Sequence, residues 1–234
     1  MNNALRTRQR MFAVALPLTA AIYMSAEGLD PKGTDQIVTT TAIALKVLPI
    51  AAKHTTQLYV SGSLSELALG AVAISYGAIA MLVRKRGSTA AMVAVLLGGI
   101  GAFCGAVVNV LVGINLAAAA SSHVTRDAAA RFLVTNFNSG PGKVFTDAYA
   151  FGEFVAPIIM GVALWRSRRV PPWLAVLFAA GFELAEQTPS GGIARVAVQM
   201  APLAVAMVLL AIRIWRAADE ASPVCEDSST LVTA

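Results

Sequence analysis

QLYVSGSLSELALGAVAISYGAIAMLVRKRG, residues 57–87, decides the fold class. From Gln57 to Val83 it carries one charged residue, Glu66, and then stops at Arg84, Lys85 and Arg86. About 20 apolar residues cross the hydrocarbon core of a bilayer, and a basic cluster at the end of such a run is a topology signal. A carboxylate inside the run is expensive, so an intramembrane Glu is by default a functional-site hypothesis. Glu153, Glu183 and Glu186 lie in apolar stretches of the same kind.

Working outward, hydrophobicity predicts six helices, at about 10–28, 57–83, 90–117, 145–165, 172–190 and 194–215. Arg6, Arg8 and Arg10 precede the first, Arg166, Arg168 and Arg169 separate the fourth from the fifth, and Arg213 and Arg216 close the sixth. With every basic cluster cytoplasmic, six spans place both termini inside. Trp165, Trp173 and Trp215 then fall at that same interface. The expected fold is therefore an all-α polytopic membrane bundle of six transmembrane helices, with N- and C-termini cytoplasmic.

Two further segments read as external interfacial helices. Residues 34–55, interrupted by Lys46 and Pro49, cannot span without forcing 84–86 outside, so they form an interfacial or re-entrant helix. Residues 121–137 read as a second, opened by a Ser cap and closed by the Asn-Ser-Gly-Pro-Gly turn at 138–142. The three arginines before MFAVALPLTAA also resemble a signal peptide, but Met24-Ser25-Ala26 fits a small-x-small cleavage site poorly, which favours an uncleaved anchor. No repeat or linker divides the chain, so 1–216 is one transmembrane bundle and 217–234 a disordered cytoplasmic tail.

Composition agrees: 57% of the 234 residues are hydrophobic and only 13% charged, where soluble domains carry about 25% charged residues. The net charge of +5 sits in short clusters between apolar runs, which is the pattern of topology signals rather than of a nucleic-acid-binding face. Cys104 lies in a span and Cys225 in the tail, too far apart in kind for a disulfide, and His54 and His123 fall in loops. That spacing excludes HExxH zinc chemistry and intramembrane di-His haem ligation, and neither a cofactor nor a metal is expected.

Helical spacing gives the expected directions. Ser63, Glu66, Gly70, Ala73, Gly77 and Ala80 share one face of the second span, and Gly101, Gly105, Asn109 and Gly113 one face of the third. Stripes of small residues mark close helix packing, so the two helices are expected to meet along these faces with Glu66 beside Asn109. Counting about 1.5 Å per residue, Glu66, Asn109, Glu153 and Glu183 come to one level, about 10–14 Å below the outer helix ends. Glu66 and Glu153 form the expected inner pair. Glu186 lines the rim, with Arg195 and Gln199 on the sixth span as the nearest outer polar groups and Arg195 as counter-charge.

Each residue also has a plainer role. Glu186 can be solvated at a helix end, Glu183 can bridge to Arg195, Glu153 can hydrogen-bond a neighbouring helix, and Asn109 can be interhelical glue. Taken together, the carboxylates describe an acidic polar cup in the outer half of the membrane, suited to a proton, a cation or a small amine. Pro157 and Pro202 would kink the fourth and sixth spans and free carbonyls beside it. Alternatives are a scaffold or accessory subunit engaging a membrane-protein partner or a second copy, and a lipid-modifying enzyme using paired carboxylates as acid and base. No GxSxG elbow, metal triad or phosphate loop supports catalysis, and no inverted repeat supports a full transporter.

Three stretches carry a resemblance: residues 57–87 above, GGIGAFCGAVVNVLVGINLAAAA at 98–120, and ALWRSRRVPPWLAVLFAAGFELAEQ at 163–187. The chain resembles uncharacterised six-helix integral membrane proteins of actinobacteria, a domain-of-unknown-function family, over most of residues 10–216. The Ser-Arg-Arg-Val-Pro-Pro-Trp turn is its most recognisable element. The resemblance implies a multi-pass protein of a bacterial plasma membrane and, as the family has no assigned activity, implies no catalytic residue. The charged region around 30–57 departs from the simplest members.

Overall fold

The computed structural model describes residues 3–32, 34, 38–83, 86–187 and 192–220. Arg84 and Lys85 of the first basic cluster, and the tail from 221 onward with Cys225, lie outside the described residues. The elements are helices α1 (Asn3–Leu29), α2 (Thr41–Lys53), α3 (Thr55–Ala80), α4 (Ser88–Asn109), α5 (Asn115–Ser121), α6 (Arg126–Asn138), α7 (Gly140–Ser167), α8 (Pro172–Glu186) and α9 (Ile193–Glu220). A π-helical turn, Val110–Ile114, joins α4 to α5.

Among the described residues five helices are long and apolar enough to cross a membrane: Arg6–Leu29, Thr55–Ala80, Ser88–Ser121, Gly140–Ser167 and Ile193–Asp219. Their outer faces carry large apolar residues such as Leu18, Leu67, Met92, Leu96, Phe103 and Val198, as expected of helices facing lipid. The helix expected over 172–190 is shorter. α8 has 15 residues, about 22 Å, against a core of about 30 Å. α9 runs to Glu220, past the expected tail boundary at 217, because Asp219 on its last turn holds Arg6 and Arg10 at 2.9 and 2.7 Å.

The six long helices close a ring in the order α1, α3, α4, α7, α8, α9 and back to α1, each neighbour antiparallel to the next. Phe178, Met160, Leu164, Met200, Leu203, Met207, Ile79 and Leu16 fill its interior. A smaller second core, including Val47, Leu48, Leu58, Leu116 and Leu133, joins α2, α5 and α6 at one end of the ring. Thr40 caps α2 by accepting from Ile43 N, and Thr125 caps α6 by accepting from Ala128 N. The cap of α6 is thus Thr125, four residues beyond the serine expected to open it at 121. The 138–142 turn reduces to Ser139, whose Oγ accepts from Gly142 N at 3.2 Å while Pro141 sits in the first turn of α7.

The expected packing of the small-residue stripes is corrected on both helices. On α3, Gly70 and Gly77 face open space, and Ser63 and Gly70 are exposed. The buried face carries Leu58, Ala68, Val72, Ser75, Tyr76 and Ile79, with the Ser75 hydroxyl 2.9 Å from that of Thr19 on α1. α3 is apolar and small-residue-rich all round, so periodicity alone selects no face. On α4 the stripe is real but shared: a Cβ on Gly101 would lie 3.0 Å from Gly152 Cα of α7, one on Gly105 2.7 Å from the Tyr149 ring of α7 and 3.2 Å from Leu69 Cδ1 of α3, and Asn109 bonds the Gly62 carbonyl of α3. Gly152→Ala would set its Cβ 2.6 Å from Gly101 Cα, backbone against backbone. We expect it to destabilise the detergent-solubilised protein by about 1–3 kcal/mol, as overpacking does, while Gly70→Ala leaves the thermal midpoint unchanged.

Candidate functional site

The Gly101–Gly152 crossing determines what α7 shows to the ring interior. Gly152 faces α4, so Glu153, about 100° further round, is turned away from it. Tyr149, four residues earlier on the same side, lays its ring on the hollow left by Gly105. α1 repeats the same spacing with Tyr23 and Glu27 near its C-terminal end. α8 reaches this level with its last turn, which carries Glu183 and Glu186.

These groups meet. The Tyr23 hydroxyl donates to Glu186 Oε1, and the Tyr149 hydroxyl donates to Glu186 Oε2 at 3.4 Å. Glu153 lies close enough to Glu186 and Tyr149 for both to act on it. Glu27 is close enough to act electrostatically on Glu153, Tyr23 and Tyr149, and Glu183 acts on Tyr76. Tyr76, 2% exposed, forms the inner wall with its ring 6.4 Å from Phe178 and 6.0 Å from Phe182. Its ring also occupies the space over Gly98, where a Cβ would come within 2.6 Å. The charged groups that act on Glu153 are carboxylates, and no arginine or lysine is among them. Tyr23 is buried, and Glu27, Tyr149, Glu153 and Glu186 are half-buried.

The sequence-derived candidates distribute as follows. Glu153 and Glu186 are brought into contact, so Glu186 belongs to the centre of the cluster rather than to its rim. The reason is that Tyr23 of α1 and Tyr149 of α7 both donate to Glu186 across the ring. Glu183 lies one turn earlier, half-buried, with its Oε1 enclosed and without a hydrogen-bond partner. Glu66 is half-buried on α3, between the buried Gly62 and Leu69, and is not among the groups acting on Glu153 or Glu186; its Oε1 is likewise enclosed and unpartnered. Asn109 donates through Nδ2 to the Gly62 carbonyl at 2.8 Å, one turn before Glu66, immediately ahead of the π-helical turn. Arg195 is exposed, and among the described residues it makes no ion pair with Glu183 or Glu186. Gln199 is half-buried with Oε1 enclosed and unpartnered.

Pro157 and Pro202 leave α7 and α9 continuous. Pro202 serves instead at a close crossing, where a Cβ on Gly181 of α8 would lie 3.1 Å from its carbonyl carbon. Among the described residues no group of three or more His, Cys, Asp or Glu side chains stands ready to hold a metal ion.

The tyrosines and Glu27 were missed in the sequence reading. The available signal was the Tyr-x-x-x-Glu spacing, present at Tyr23–Glu27 and again at Tyr149–Glu153, which puts a phenol and a carboxylate on one face of each helix.

Among the described residues the fold and the site together define an all-helical protein with five helices long and apolar enough to cross a membrane and an acid–tyrosine cluster inside the ring. No protein-family model, no curated protein and no solved structure matches this chain.

A double-mutant cycle separates the two pairings of carboxylates. Tyr23→Phe and Glu186→Gln should be non-additive by about 1 kcal/mol in thermal or denaturant stability. Glu66→Gln and Glu153→Gln should add within about 0.5 kcal/mol. A strong Glu66–Glu153 coupling would contradict the geometry.

Proposed function

We propose that the protein binds, and through binding passes on, a proton or a small organic ammonium at the Glu153–Glu186 pair. The observation that carries this reading is a neighbouring carboxylate pair on two helices, with two phenols donating to Glu186 and, among the described residues, no arginine or lysine acting on Glu153. Two carboxylates this close do not both stay ionised without compensation, so the pair holds a proton or a cation between them. Two carboxylates and two phenols form a small donor set. It suits a proton or an ammonium better than a divalent ion that takes six or more oxygens.

The reading includes a topology. The Arg6–Asp219 and Arg10–Asp219 bridges keep both ends of the described chain on one side, which calls for an even number of crossings. α8 supplies the sixth, cut short so that its last turn delivers Glu183 and Glu186 to the ring interior. Arg86, Arg166, Arg168, Arg169 and Arg213 gather at the same end as the termini, and the positive-inside rule makes that end cytoplasmic. The cluster then opens to the outer side, beneath α2 and α6 as interfacial helices. α1 supplies Tyr23 and is retained as an anchor. A bacterial plasma-membrane protein of the actinobacterial six-helix kind fits this description.

The test is a stability screen of the purified protein against pH and alkylammonium ions. Wild type should gain about 2.7 kcal/mol at an ammonium concentration 100 times its Kd. Glu153→Gln and Glu186→Gln should lose that gain, whereas Glu66→Gln keeps it. Equal responses in all four proteins would sink the site. Orientation is read separately in a cysteine-free background. His123→Cys should react with an impermeant maleimide on intact cells and Arg86→Cys only after permeabilisation, and the reverse pattern overturns the topology.

A further inference from the structure

The end of the ring opposite the acid–tyrosine cluster holds two adjoining pockets. One, of about 720 Å³, is walled by Arg86, Gly87, Trp165, Arg166 and Arg168. The other, of about 540 Å³, shares Trp165 and Arg168 and adds Arg169 and Arg213. The arginines come from three separate parts of the chain: the turn before α4, the α7–α8 turn, and α9. A topology signal needs the charges on one side of the membrane. It does not need them around one cavity.

Three features favour an anion at this pocket, whose arginines are exposed. The arginines have no acidic partner among the described residues, and Asp219, the acidic side chain described at this end, is taken by Arg6 and Arg10. Gly87 forms the N-cap of α4 with φ +92 and no side-chain cap, and the first turn of α4 holds no acidic residue. An anion at the pocket wall would face the positive end of this helix. Third, Arg168 occupies the left-handed C-cap of α7 at φ 55, a position that glycine takes without strain. Arginine there bears a backbone cost and lines both pockets. Arg166 also compensates the α7 C-terminal carbonyls, so the claim rests on Arg86 and Arg168.

We infer that this cavity binds a phosphate group, with the headgroup of an anionic phospholipid as the favoured source. Trp165, 60% exposed at the rim, is placed to sit beside the glycerol region of such a lipid. The inference does not depend on the acidic site.

Trp165 reports occupancy once Trp173 and Trp215 are replaced by Phe. Brominated phosphatidylglycerol in mixed micelles should quench it at lower mole fraction than brominated phosphatidylcholine, with Arg168→Gly weakening the preference about fivefold. Glycine suits the backbone at 168, so this variant folds at least as well as wild type and loses only the guanidinium. Arg8→Gln, a basic residue outside the cavity that stacks on Phe12, should change nothing. Glycerol 3-phosphate tests the free anion: competition with the lipid supports recognition of the phosphate itself, and protection by the lipid alone supports the membrane source. Equal quenching by both lipids with no effect of glycerol 3-phosphate overturns the inference. So does a loss in Arg8→Gln equal to that in Arg168→Gly, which would mean diffuse surface charge.

Discussion

The rest of the molecule depends on the approach of α4 and α7 at Gly101 and Gly152, where the two backbones touch without side chains between them. A methyl group on either residue would meet main-chain atoms of the other, so the contact fixes both the separation and the rotation of α7. In a bilayer, close helix approach is a main source of association, because lipid tails are as apolar as the side chains they replace. Rotation of α7 then decides that Tyr149 rests on Gly105 and that Glu153 looks into the ring. One packing contact thereby sets the chemistry of the interior.

The ring is polar along its axis. Arginines and tryptophans crowd one end, and Glu27, Glu153, Glu183 and Glu186 lie towards the other, with apolar side chains such as Phe178, Met160 and Met207 between. A buried ion pair would neutralise the carboxylates at the cost of desolvating both partners. Here they are received by phenols, which donate hydrogen bonds and carry no positive charge. On the proposed reading such a site stays open to a proton or cation, where an arginine would have filled it permanently.

Much of the architecture was legible in the chain. Long apolar runs and basic clusters placed the crossing helices to within a few residues, and the helices expected over 34–55 and 121–137 are present as Thr41–Lys53 and Arg126–Asn138. What failed was rotation. α3 has small residues on every side, so Ser63, Glu66, Gly70 and Gly77 looked like a packing face although Ala68, Val72 and Ser75 form it. The α4 stripe was legible as a close-packing surface, but nothing local to residues 101–113 says whether α3 or α7 covers it. Depth counting also placed Glu186 too high, because a span carried to 190 runs past Gln187-Thr188-Pro189-Ser190-Gly191-Gly192, a stop signal directly after Glu186. The pairing of Glu153 with Glu186 is a property of ring closure, and no single helix encodes it.

The central claim is that Glu153 and Glu186 act as one unit holding one proton or one cation. Infrared difference spectroscopy of the glutamate-labelled protein in lipid tests it most directly, by following the protonated-carboxyl band through a pH titration. The account predicts a single band that disappears in Glu153→Gln, is lost or shifted in Glu186→Gln, moves in Tyr23→Phe and is untouched in Glu66→Gln. Two bands that vanish independently, one with each carboxylate, would contradict it.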